Sequence, residues 1–367
     1  MMNRFIVATF CVLGLLVSAF PCDQCGITIG DPARGGGSGI TAGTSGIRGA
    51  FSDLVLKKRM EDSKNSASET PIANSAVPDF TQEKPHGCSD SKLRRWSFDT
   101  TFEYRKFQEN RAENSFAIVQ AGHDQHAYRY DYFVNEHIGY LINEDLSVGV
   151  SAGFRSLHKL SVDDPDRIGQ HQTSTGATGL TLDAKYRFMH QTDCFPLDLA
   201  VFASLKTPLG ETNNRQPNGD LFETEDQPGT GSWNGTLGIA ASHGWEKWGV
   251  SGSASYTKKS VGSQQFREGD VTHLTLSASR LLSPTRCSWK LYGSAGLQGF
   301  IERHAVDHGE VSPDHGGRFM YVTPGISAKP NDRLIVSLTA PIPVIQDENG
   351  THQKQRWNVQ LGVGLRF

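Results

Sequence analysis

Trp357-Asn358-Val359-Gln360-Leu361-Gly362-Val363-Gly364-Leu365-Arg366-Phe367 is the stretch whose reading decides the fold. Trp357, Val359, Leu361, Val363, Leu365 and Phe367 share one face of an extended chain, and Asn358, Gln360, Gly362, Gly364 and Arg366 share the other. An unbroken two-residue alternation of this length marks a strand with one apolar and one polar face. Soluble β-sandwiches use such strands too, usually shorter and with the apolar face turned inward.

Upstream, the pattern recurs from Leu93 onward. A strand over 94–107 sets Trp96, Phe98, Phe102 and Tyr104 against Asp99, Glu103 and Arg105. The next, over 126–142, groups Tyr128, Tyr130, Tyr132 and Val134. Leu146, Val148, Val150, Ala152 and Phe154 form a third stripe; in a fourth, Leu180 to Phe188 alternate with Asp183, Lys185 and Arg187. Counted to the end, about twelve strands emerge. Short connections such as Asn143-Glu144-Asp145 and Glu246-Lys247 alternate strictly with long ones such as 159–175, 208–230 and 302–316. That asymmetry predicts an all-β fold, a transmembrane antiparallel up-and-down β-barrel with short turns and both termini at the periplasm and long loops outside. A sandwich would have to bury every stripe between two sheets and leaves the asymmetry unexplained. Trp96, Trp233, Trp248, Trp289 and Trp357 sit where interfacial girdles would lie.

Bulk properties agree with this class. The 367 residues include 39 glycines and carry a net charge of −3 from 36 basic and 39 acidic residues. Outside the N-terminus no apolar run approaches the length of a spanning helix, which excludes a helical membrane protein. A barrel dilutes its hydropathy between two faces and looks soluble by composition. The balanced charge speaks against a nucleic-acid partner.

Residues 1–19 read as a secretory signal peptide: one positive charge, an apolar core and Val17-Ser18-Ala19 at the cleavage position. Phe20 and Pro21 before Cys22 argue against lipidation. Residues 20–92 hold a Gly/Ser/Thr-rich run and a polar Pro-containing tract, expected as a flexible periplasmic extension of a barrel over 93–367. The mature cysteines are Cys22, Cys25, Cys88, Cys194 and Cys287. In an exported chain they are disulfide candidates, with Cys22 and Cys25 a C-x-x-C pair and Cys88 a partner for Cys194 or Cys287 near the periplasmic turns. No second pair at zinc spacing follows.

The polar strand faces carry Asp99, Glu103, Arg105, Arg129, Asp131, Asp183, Lys185, Arg187 and Arg366. Both signs occur on neighbouring strands, so these residues either line a pore and set its selectivity or pair to fill a narrow lumen. Catalytic signatures are weak. There is no G-x-S-x-G elbow; His123, Asp124 and His126, or His304, Asp307 and His308, could imitate a surface hydrolase but read as loop residues. The segment His304 to His315 has the composition of a metal site without the helical setting, and neither a metal nor a cofactor is expected.

Three further stretches carry a resemblance. Leu205-Lys206-Thr207-Pro208-Leu209-Gly210, Gln227-Pro228-Gly229-Thr230-Gly231-Ser232-Trp233 and Pro341 to Gly350 resemble a family of bacterial outer-membrane transporters related to the meta-pathway phenol-degradation channel proteins and similar to fatty-acid transporters. The resemblance implies a place in the outer membrane, contact with its lipid, and passage of small, often hydrophobic or aromatic molecules of unspecified identity. It supplies no catalytic residues. The final strand resembles the closing strand of outer-membrane barrels, which implies that Phe367 is read by the barrel-assembly machinery. A non-conducting surface or anchoring barrel is the alternative, with an outer-membrane hydrolase behind it.

Overall fold

The computed structural model describes residues 95–109, 112–120, 126–162, 164–192, 195–284, 289–350 and 353–367. The signal peptide, the 20–92 extension and all five mature cysteines lie outside these.

The wall begins with β1 (Trp96–Phe107), β2 (Ala127–Leu141), β3 (Leu146–Leu160), β4 (His171–Met189), β5 (Asp198–Lys206), β6 (Asn234–Gly244) and β7 (Trp248–Lys259). It continues through β9 (Val271–Leu281), β10 (Lys290–Glu302), β13 (Gly317–Asn331), β14 (Leu334–Thr339), β15 (Ile342–Glu348) and β16 (Gln355–Arg366). Each is antiparallel to its neighbours, β10 pairs with β13, and β16 returns to β1. β14 and β15 both pair with β13 and are two halves of one wall strand, so the thirteen segments form a closed barrel of twelve strands. Trp96 and Phe367 exchange both backbone hydrogen bonds, at 2.9 and 3.0 Å, across the closing seam. The C-terminal residue is thus part of the wall.

The alternation places the faces as expected. Leu182, Leu237, Ile239, Leu276 and Leu338 are exposed on the outside. Inside, hydroxyl pairs cross the strands, Ser251 with Ser277 at 2.8 Å and Ser253 with Thr275 at 2.7 Å. Such surfaces are stable only when the outside is lipid and the inside is wet.

Three details differ from the sequence reading. Arg129 is the extra residue of a bulge, because the register skips between Tyr128 and Tyr130. The bulge separates the tyrosines: Tyr130 and Tyr132 join the outer aromatic cluster with Tyr104 and Trp357, whereas Tyr128 is buried and bonds Asp226. The long loops carry their own structure. Helix α1 (Ala112–Gln120) packs with Val119 against Ala127, Leu160 and Val162. The histidine-rich segment is a hairpin of β11 (Ala305–Asp307) and β12 (Glu310–Ser312), joined by β8 (Phe266–Arg267) into a small sheet. Its turn places His308 and Gly309 at φ of 48° and 88°. Finally, Pro341 and Pro343 supply no backbone donor, and the β14–β16 ladder stops at Thr339 and Gln360. Beyond that break the Gln346 side-chain amide accepts from the Gln355 nitrogen at 2.9 Å and donates to its carbonyl at 3.0 Å.

Leu276→Arg, outward on β9, should therefore lose about 2–4 kcal/mol in denaturant unfolding from vesicles. The neighbouring lumen substitution Thr275→Arg should lose much less. Equal losses would contradict the assigned faces.

Candidate functional site

The loop between β5 and β6, residues 207–233, does not project outward. It turns back into the mouth of the barrel. Its entry and exit cross at two glycines: a Cβ on Gly229 would lie 2.5 Å from the Gly210 Cα, and one on Gly210 would lie 2.7 Å from the Gly229 Cα. Only glycine permits two backbones to approach so closely. This is the physical reason for the glycines of Pro208-Leu209-Gly210 and Pro228-Gly229. Gln227, 2% exposed, staples the loop to itself, donating to the carbonyls of Asn214 and Phe222 at 3.0 and 2.9 Å.

Charge holds the loop to the wall. Lys159 on β3 is ion-paired with Asp226, and neither side chain is more than 1% exposed. The Tyr128 hydroxyl donates to the other Asp226 oxygen at 3.0 Å. Arg155, two turns of the pleat down β3, donates to the Glu225 and Gln227 carbonyls at 2.7 and 3.1 Å and to Asp131 at 3.1 Å. His315 lies 2.5 Å from Glu225, and His126, stacked on the Tyr128 ring, lies 3.7 Å from it. Burial alone would raise the Glu225 carboxyl; His315 and His126 outweigh it and hold the group well below the usual carboxylate range. Burial likewise works against the Asp226 charge, and Lys159 and His126 hold that group low. Beside this cluster a small cavity of about 20 Å³ is lined by Glu225, Glu268, Glu302 and His315. It has room for about one water. Lys259 bonds both Glu268 and Glu302, at 3.0 and 3.3 Å.

The charges singled out in the sequence fall into two groups and a remainder. Glu103, Arg105 and Asp131 are buried in the wall below the loop. Glu103 accepts from Arg105 and from Asn358, both at 2.6 Å. Arg105 and Arg155 lie over the Phe133 ring, at 4.5 and 5.4 Å from its centroid. Nearer the short turns, His137 joins Asp99 and Asp183 at 3.6 and 3.2 Å, and Arg366 bonds Asp99 at 2.8 Å. Lys185 is exposed beside them, and Arg187 donates to the Glu144 carbonyl at 2.7 Å. Arg129, in its bulge, stands apart from both rows.

Sequence reading missed Arg155, Lys159, Glu225 and Asp226, and it took His126 and His315 for loop residues without their Glu225 partner. Arg155 and Lys159 were within reach, since they continue the polar face of β3 beyond Ser151 and Gly153. The acids were not, because no period announces a loop that folds inward.

His126, Glu223 and Asp226 each bring one donor atom within 4.8 Å of the others, the spacing of a metal site. Both Asp226 oxygens, however, already serve Tyr128 and Lys159, so an ammonium holds the cation's place. In the hairpin, His304 meets the His315 carbonyl and His308 meets Asp307, which keeps the histidines on separate partners. A serine–histidine pair does occur: Ser156 and His158 are 3.2 Å apart, with Thr173 at 3.2 Å from the other ring nitrogen. Ser156 is 2% exposed and also bonds Thr175 at 2.8 Å, an arrangement suited to a satisfied wall rather than to a nucleophile.

Residues 160–357, more than half of the chain, match the family described as "Putative MetA-pathway of phenol degradation". The chain belongs to this family. An outer-membrane channel of Pseudomonas putida F1 shares its fold with a TM-score of 0.53 at 16% identity, over 74% of this chain and 96% of that one. The β domain of a Bordetella autotransporter aligns at 14% identity with a TM-score of 0.42, over 75% of this chain and all of its own. The KdgM porin aligns at 10% identity with a TM-score of 0.38, over 74% and 99%. No curated protein matches. Family, closed barrel and apolar exterior make this an outer-membrane, channel-like β-barrel, with the 207–233 loop in its extracellular mouth.

Asp226→Ala should leave Lys159 buried without its counter-charge, a change that costs about 3–5 kcal/mol in comparable pairs. Trypsin cleavage at exposed Arg215 should accelerate at least tenfold in the folded barrel. An unchanged rate would show that the pair does not hold the loop.

Proposed function

We propose that the barrel is a passive channel for small molecules that combine an aromatic body with a polar group. The observation that carries this reading is the mixed character of the upper lumen. One wall presents Phe133 between the Arg105 and Arg155 guanidiniums. Another packs Val271, Phe300, Phe319 and Tyr321 together, each at most 5% exposed, with the His273 ring stacked 4.2 Å from Phe300. Between them run the Ser and Thr rows of β7 and β9. Aromatic faces attract aromatic solutes by offset or edge contacts and by cations beside a ring. Hydroxyl rows replace water along the way at little cost, because each hydrogen bond given up is exchanged for another. The name of the family, with its reference to phenol degradation, agrees with such solutes.

The probes are two impermeant sulfonates of similar size, 4-hydroxybenzenesulfonate and cyclohexanesulfonate, in a liposome-swelling assay. The aromatic solute should enter at least twice as fast, and Phe300→Ser should remove the difference while leaving the barrel folded. Entry of both at the rate of protein-free liposomes would contradict a channel. Equal entry of both through the protein would contradict the aromatic preference.

A further inference from the structure

Among the described residues, the outward face of β1 and β2 between the two aromatic girdles is apolar except at one pair. Thr100 on β1 and Glu136 on β2 are direct cross-strand partners, and the threonine hydroxyl donates to a glutamate oxygen at 2.6 Å. Their face is fixed by their neighbours. The pairs above and below are Phe102 with Val134 and Phe98 with Ile138, and Ile138 is exposed to the lipid. Across β2 the next partner is Ala152 on β3; across β1 it is Val363 on β16. The lumen side of the same strands is occupied by Asp99, His137, Thr101 and Asn135, which alternate with this pair.

Height matters here. Thr100 is four residues from Trp96, the girdle residue that packs on Tyr140 at 4.7 Å. At the rise of a tilted strand that separation is roughly 10 Å. A glutamate side chain is too short to carry its carboxyl that distance to the interface. At this depth acyl chains offer no donor, and an acid facing lipid at mid-membrane is expensive unless something pairs with it. Thr100 satisfies one oxygen only; among the described residues the other has no hydrogen-bond partner.

We propose that the β1–β2 face is the contact surface of a membrane dimer and that a second copy of this chain supplies the missing partner. A two-fold axis normal to the membrane between the copies brings each Thr100–Glu136 pair against its equivalent. Facing lipid, Glu136 is carried as the neutral acid: it accepts from its own Thr100 and has one O–H left to give. The Thr100 oxygen keeps a free lone pair, so across the two-fold each acid donates to the Thr100 oxygen of the other copy. The face is thus complementary to itself, as an isologous interface requires. The flanking Phe98, Phe102, Val134 and Ile138 supply the apolar contact, and the small Ala152 permits close approach. Within lipid, association gains little from burying apolar surface and depends on packing and on polar pairs of this kind.

The experiment uses full-length protein folded in detergent micelles and again in lipid vesicles, with folding verified by heat-modifiable gel migration. Mass is measured by light scattering in micelles. In vesicles, contact is read from a photo-cross-linker placed at Phe102, with one at Leu276 on another wall as control. Wild type should be a dimer that cross-links from Phe102 and not from Leu276. Glu136→Gln keeps a donor and an acceptor and should remain dimeric. Glu136→Leu should stay folded, with dimer dissociation at least tenfold easier. A wild-type monomer in both environments would overturn the proposal, as would a Glu136→Leu dimer as tight as wild type. Cross-linking from Phe102 only to other proteins in native membranes would overturn it too and assign the face to a different partner.

Discussion

The ion pair between Lys159 and Asp226 is the contact on which the character of this barrel depends. It joins two elements made by different rules: a strand placed by hydrogen-bond register, and a loop that has no register at all. Removed from water, each charge is tolerable only because of the other. The pair, with Tyr128 and Arg155 around it, converts a surface loop into part of the lumen. The two crossing glycines, Gly210 and Gly229, make the inward turn possible. The ion pair makes it stay.

The remainder of the lumen follows the same logic in weaker form. Where charges are buried they are paired, as Glu103 is with Arg105 and Lys259 is with two glutamates. Where the wall runs through β6, β7 and β9, small hydroxyls pair across strands and leave space. The interior thus carries paired charges beside the loops and small hydroxyls along β6, β7 and β9.

The wall was legible in the sequence because its physics is local: a two-residue period, turn residues, and an alternation of connection lengths. Trp357 to Phe367 alone defined both faces of the closing strand. The reading failed where one residue broke the period. The bulge at Arg129 moved Tyr128 from the presumed tyrosine stripe to the lumen, and no composition signal marks such a skip. Charged positions on strands were found by parity: Glu103 and Arg105 pair with each other, whereas the His137 partner of Asp183 was not among them. Glu225 and Asp226 were invisible, and His315 was visible only as a loop histidine, since their roles depend on how loops pack against one another. Glu136 was visible in principle. It interrupts the apolar parity of β2 between Val134 and Ile138.

We infer that the charge-anchored loop narrows the mouth of the barrel and limits what passes. Single-channel conductance in a planar bilayer measures this directly, comparing wild type with Asp226→Ala, which leaves Lys159 buried without its counter-charge. The account predicts small, steady steps for wild type and larger, noisier ones for the variant as the loop leaves the mouth. Identical step sizes from two equally folded proteins would contradict it.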